Sequence, residues 1–128
     1  MREAGENYLE TILILERKSG PVRSIDVAEA LGVSRPSVNK AVSVLKKAGM
    51  VDQQPYGRIS LTERGREKAA EVLGRHNNLK RFLTIVLGVG EEAAEVDACR
   101  MEHVISEETG RRLAAYIGSV MSRQGLEP

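Results

Sequence analysis

The sequence predicts a mainly α chain with a small β-wing: an N-terminal winged helix-turn-helix domain followed by a second, helical domain. Three observations predict it. A short apolar-periodic run, a glycine turn and a capped second run cover residues 24–48. A strand-turn-strand pattern follows directly at residues 50–61, and from Thr62 to Ser122 only helical spacing recurs.

The first helix is expected from about Glu3 to Lys18. Tyr8, Leu9, Ile12, Leu13 and Leu15 give it a broad apolar face, and Ser19-Gly20-Pro21 stops it. Asn7 and Glu10 stay together on its polar side, which by itself reads as a solvated face. Ser24 suits an N-cap for Ile25–Leu31, and Gly32 supplies the tight turn. Ser34 caps the next helix, with Pro36 in the first turn, where a missing N–H costs nothing. Val38, Val42, Leu45 and Ala48 face inward at helical spacing, leaving Arg35, Ser37, Asn39, Lys40, Ser43, Lys46 and Lys47 outside. The second helix of such a pair meets base edges with its polar N-terminal residues. Ser34, Arg35, Pro36, Ser37, Asn39, Lys40, Ser43 and Lys47 are therefore the candidate DNA contacts.

Gly49 closes that helix. Met50-Val51 and Ile59-Ser60-Leu61 flank Asp52–Arg58 as a two-stranded hairpin, its tip holding Tyr56, Gly57 and Arg58. Tyr56 and Arg58 are placed for phosphate contact. Thr62 caps a helix that continues to about Leu87, locally weakened by Gly65 and Gly74. Leu79, Phe82, Leu83, Val86 and Leu87 form an apolar stripe. After a wing, that stripe is most simply a dimer seam, with Leu79, Phe82, Leu83 and Val86 as its contacts; an intrachain core is the alternative. His76, one turn earlier, would by itself be structural. Gly88-Val89-Gly90 breaks the helix, Glu91-Glu92 start another, and Ser106 opens a last helix with Leu113, Ala114, Ile117 and Val120. The expected domains are residues 1–74 for DNA binding and 75–122 for dimerisation and metal binding, with 123–128 a frayed tail.

Composition narrows the function. The chain has 128 residues, 41% hydrophobic and 29% charged, which is ordinary for a globular protein. No apolar run approaches membrane-span length and Met1–Glu6 is no signal sequence, so no membrane partner is expected. One cysteine excludes an internal disulfide and fits a reducing cytoplasm. An aromatic content of 3% without Trp argues against stacking platforms for single strands. The net charge of +1 divides unevenly: residues 1–75 hold 13 Lys+Arg against 10 Asp+Glu, and residues 76–128 hold 6 against 8. The basic excess thus lies in the half expected to meet DNA.

The run Asp97-Ala98-Cys99-Arg100-Met101-Glu102-His103 carries the chemistry. At about 100° per helical residue, Glu95, Cys99, Glu102 and His103 share one arc. Ala94, Met101, Val104 and Ile105 point the other way, toward a core. A thiol, a carboxylate and an imidazole together suit a transition metal such as Fe, Zn, Co or Ni better than Mg or Ca.

Taken together the motifs resemble the diphtheria toxin repressor and manganese transport regulator family of metal-dependent transcriptional repressors, over about residues 5–120. The likeness rests on Glu6–Glu10, Asp26–Ser34, Leu61-Thr62 with Gly65, Arg75-His76, Asp97–Cys99 and Glu102–Ser106. It implies metal ligands at Cys99, Glu102 and His103, as in the iron-responsive branch; the manganese branch has glutamate at the first of these. It implies a ligand at His76 in both branches and at Glu10 in the manganese branch. Asn7 stands where one branch has methionine and the other aspartate, and offers only an amide oxygen. Lys80 and Glu95 replace an acidic residue and a histidine of the iron branch's ancillary site. That site is therefore either weakened or rebuilt, with Glu95 a candidate ligand alongside His76 and Glu10. The chain stops short of the SH3-like domain of longer members.

The implied function is a cytoplasmic homodimeric repressor with Fe(II), or next Mn(II), as corepressor, while Zn, Co or Ni could bind in vitro. Its partner is a near-palindromic double-stranded DNA operator. A winged-helix regulator answering to an organic ligand or to thiol oxidation is the alternative. An enzyme is not expected: no His-Glu-x-x-His pair and no evident general base accompany the ligands.

Overall fold

Helix α1 (Arg2–Ser19) forms where the apolar spacing places it, with Leu9, Ile12 and Leu13 fully buried. Arg17 and Lys18 complement its C-terminal dipole, and Gly20, at φ 82°, ends it. The computed structural model describes residues 2–54 and 57–125. They divide into two units, Met1–Glu71 and Val72–Pro128.

In the first unit, β1 (Val22–Arg23) leads into α2 (Ser24–Leu31) and then α3 (Arg35–Lys47). The cap of α2 is Arg23, not the expected Ser24. The Asp26 carboxylate accepts from the Arg23 N–H at 2.9 Å, and Ser24 is freed to donate to Asn39 Oδ1 at 3.1 Å. Gly32, left-handed at φ 66°, makes the turn, and the Val33 N–H reaches back to the Ala28 carbonyl. At the start of α3, Ser34 Oγ accepts from the Ser37 N–H at 3.2 Å. Val38, Val42 and Leu45 are buried on one side of α3, as their spacing requires.

The wing is larger than expected. With β2 (Val51–Gln53) and β3 (Arg58–Leu61), β1 completes a three-stranded antiparallel sheet in the order β1-β3-β2. Val22 pairs with Ile59 and Arg23 with Arg58, while Val51 pairs with Leu61. Thr62 then ties wing to helix: its hydroxyl donates to the Gly49 carbonyl at 2.7 Å and accepts from the Gly65 N–H at 3.0 Å.

Helix α4 (Glu63–Arg81) runs on into wider π-turns over Phe82–Val86, where the Leu87 N–H bonds back to the Phe82 carbonyl. After Gly88 come α5 (Glu91–Met101) and α6 (Glu107–Arg123), the latter capped by Ser106 Oγ on the Thr109 N–H. The core of the second unit gathers Leu79, Leu83, Ala94 and Ala98, with Phe82, Val89, Met101, Ile105 and Leu113 packed against them. Ile117, Val120 and Met121 are buried on α6, and Ala114 is exposed. Helix α6 ends at Arg123; of the expected tail, residues 126–128 lie outside the described residues.

Candidate metal centre and nucleic-acid face

Helix α5 stops at Met101, earlier than its spacing suggests. The Val104 N–H turns back to the Met101 carbonyl at 3.1 Å, so Glu102 and His103 occupy a tight turn and not a continuing helix. That overturns the expected facing. Val104, assigned to the core, is 76% exposed, while Glu102 and His103 are buried at 0% and 4%.

Glu102 sits between two imidazoles. Its Oε2 lies 3.3 Å from His76 Nδ1 and its Oε1 lies 3.2 Å from His103 Nε2. Both oxygens are buried, and among the described residues neither receives an aligned hydrogen bond. Glu102 thus stands within 3.3 Å of a nitrogen of each ring. On its other edge, His76 Nε2 stands 3.0 and 2.9 Å from the two oxygens of Glu95 on α5. Lys80 Nζ stands 3.5 Å from Glu95 Oε2 and 3.1 Å from Glu91 Oε2.

The electrostatics follow. The Glu102 carboxylate, with Glu95 behind it, outweighs burial and raises His76 from 6.5 to about 9. Partial burial works against ionised Glu95, yet His76 and then Lys80 hold its carboxyl below the ordinary range. Glu91 and Glu95 keep the Lys80 ammonium above its own.

The structure brings His76, Glu95, Glu102 and His103 together. The Cys99 side chain is exposed on α5, whose buried positions on the preceding turns are Ala94 and Ala98. Glu10, buried, and Asn7, half-buried, lie on α1 in the first unit. A metal fits this donor set. Two imidazoles and a buried carboxylate without aligned donors can coordinate a divalent cation once His76 gives up its proton.

The candidate DNA residues of α3 are all on the surface: Ser34, Arg35, Pro36, Ser37, Asn39, Lys40, Ser43 and Lys47 are exposed. Arg58 is exposed on β3, and Tyr56 lies outside the described residues. Arg23 is a basic neighbour that the sequence pattern missed. It stands opposite Arg58 across the β1–β3 ladder, also exposed, so the two guanidinium groups share one face of the wing. Of the proposed seam, Leu79 and Leu83 are buried within their own unit and Phe82 is half-buried, while Val86 is 37% and Leu87 58% exposed.

Comparison with known proteins agrees with this architecture. Residues 1–59 match the family model of the iron dependent repressor, N-terminal DNA binding domain. Residues 62–124 match that of the iron dependent repressor, metal binding and dimerisation domain. An uncharacterized HTH-type transcriptional regulator of Methanocaldococcus jannaschii is 34% identical over 118 residues, covering 91% of this chain and 94% of that one. The transcriptional regulator MntR of Escherichia coli O6:H1 is 42% identical over 108 residues, covering 84% of this chain and 69% of that one. Among solved structures, a manganese-dependent transcriptional repressor in complex with manganese superposes with a TM-score of 0.81 at 29% identity, covering 89% of this chain. The chain spans about half the length of that structure, which is covered to 52%.

Proposed function

The chain belongs to the iron-dependent repressor family of metal-dependent transcriptional repressors, and on that premise we propose that it is a cytoplasmic homodimeric repressor whose operator affinity is set by a divalent metal. The observation that carries the reading is the buried Glu102 carboxylate between His76 and His103, in a chain that also presents an exposed polar α3 and a basic wing.

His76, Glu102 and His103 would hold the ion, with Glu10 and Asn7 of α1 as further ligands by their family positions. A bound divalent cation would supply the positive charge that Glu102 otherwise draws from the protonated His76 ring. Metal that binds the DNA-competent state better than the loose one shifts the chain toward it. His76, Glu102 and His103 supply nitrogen and oxygen donors, a set that suits Mn(II) as well as Fe(II), while a Cys99 thiolate ligand would favour Fe(II). Ser34, Arg35, Pro36, Ser37 and Asn39, with Lys40, Ser43 and Lys47 further along α3, meet a near-palindromic operator in the major groove, and Arg58 with Arg23 anchors phosphates. The dimer seam is carried by the exposed Val86 and Leu87 with the open edge of Phe82.

Replacing Glu102 or His103 by Ala is expected to abolish metal-stimulated DNA binding, with dimer formation and helical content retained. Undiminished stimulation in both variants would remove the site assignment.

A further inference from the structure

His76 offers its two ring nitrogens to two different carboxylates. Nδ1 faces the buried Glu102, whereas Nε2 lies 2.9 and 3.0 Å from the oxygens of Glu95. Glu95 is not held there by burial, since its side chain is 51% exposed. It is held by charge: the Lys80 ammonium bridges Glu95 and Glu91 from the neighbouring helix. The contacts run in one line, Glu91–Lys80–Glu95–His76–Glu102, from the surface to the buried carboxylate.

Resting on the reading of His76 as a ligand, the geometry points to Glu95 as a positioning residue and not a ligand: it accepts the His76 Nε2–H, which fixes the ring and leaves Nδ1 as the coordinating nitrogen, while Lys80 is the internal counter-ion that keeps Glu95 in place. Ligating histidines commonly give their remote N–H to a carboxylate, which sets the tautomer and the ring orientation. A cation bound directly by Glu95 would instead lie against the Lys80 ammonium, a like charge within 3.5 Å of the same carboxylate. Lys80 therefore takes the place a further cation would need, and the cluster of His76, Glu95, Lys80 and Glu91 supports one ion per chain.

The test uses Co(II), titrated anaerobically into the full chain and read by its visible bands, by affinity and by ions bound per chain. Glu95→Gln is expected to weaken Co(II) by about 10- to 100-fold, the usual effect of losing such a partner, with band positions, intensities and stoichiometry unchanged. Lys80→Met is expected to weaken binding in the same direction, and the double variant to be no weaker than Glu95→Gln, because Lys80 acts through Glu95. Both side chains are partly exposed, so these variants keep the fold. Altered bands or a lost ion in Glu95→Gln would make Glu95 a ligand and overturn the inference. So would unchanged affinity in Glu95→Gln, or additive losses in the double variant. Failure of the unmodified chain to bind Co(II) would remove the metal reading itself, a result separate from all of these.

Discussion

His76 is where protons and metal compete. Glu102 and Glu95 raise it from 6.5 to about 9 against the effect of burial. In the metal-free chain the protonated ring therefore stabilises the fold fully below pH 6.5, and that contribution is lost as pH rises through about 9. The melting temperature of metal-free protein is expected to fall across this window, and His76→Gln to flatten the fall. Coordination requires a neutral ring nitrogen, so apparent metal affinity rises over the same window. Metal affinity that is flat from pH 6.5 to about 9 contradicts His76 as a ligand. The roles proposed for the basic residues of the first unit can be separated in the same residue-level way. Arg35→Ala is expected to relax base preference, whereas Arg58→Ala weakens all sequences alike and lowers the salt slope by about 1. Binding assays on several duplexes over a salt series separate the two, and an identical uniform loss from both variants would refute the division.

Among the elements, the junction of wing and α4 shows how local chemistry fixes position. A Cβ on Gly65 would lie 1.8 Å from the Met50 carbonyl oxygen, a backbone atom already accepting from the Thr62 N–H. Gly65, which reads from sequence only as a helix-weakening residue, is the point where α4 meets the strand. Gly65→Ala is expected to destabilise the chain by about 3 kcal/mol in a denaturant melt, and an effect below about 1 kcal/mol would show that the junction yields. The helix-turn-helix was legible because Gly32, Ser34 and the spacing of Val38, Val42 and Leu45 are local signals. Strand β1 was not, since two residues carry no alternation and their partners Arg58 and Ile59 lie far along the chain. The cap of α2 escaped for a related reason. Ser24 has the right side chain, but Asp26 reaches back to Arg23 and satisfies the helix start first. At the candidate site, the types Glu102, His103 and His76 were readable, but their geometry was not. No Gly or Pro marks the end of α5, so an arc drawn on a continuing helix placed Val104 in the core. The link from Lys80 to Glu91 and Glu95 crosses the Gly88–Gly90 break and depends on how two helices pack, which spacing along one helix cannot give.

For the whole molecule the apolar stripe from Leu79 to Leu87 divides by burial. Leu79 and Leu83 build the core of their own unit, leaving Val86 and Leu87 outside it. Leu79→Ala is accordingly expected to destabilise the fold by about 2–5 kcal/mol. Leu87→Glu is expected to leave stability nearly unchanged and to shift sedimentation toward monomer. A Leu87→Glu protein that stays dimeric would move the seam elsewhere.

The central claim is thermodynamic: metal and DNA each tighten the other's binding by the same factor. The most direct measurement is an anaerobic anisotropy titration on a labelled operator obtained by random-sequence selection, with Mn(II), with Fe(II) and with excess chelator. At least about tenfold tighter binding with metal, worth about 1.4 kcal/mol and reversed by chelator, is the expected result. Equal operator affinity with metal and with chelator would contradict the account.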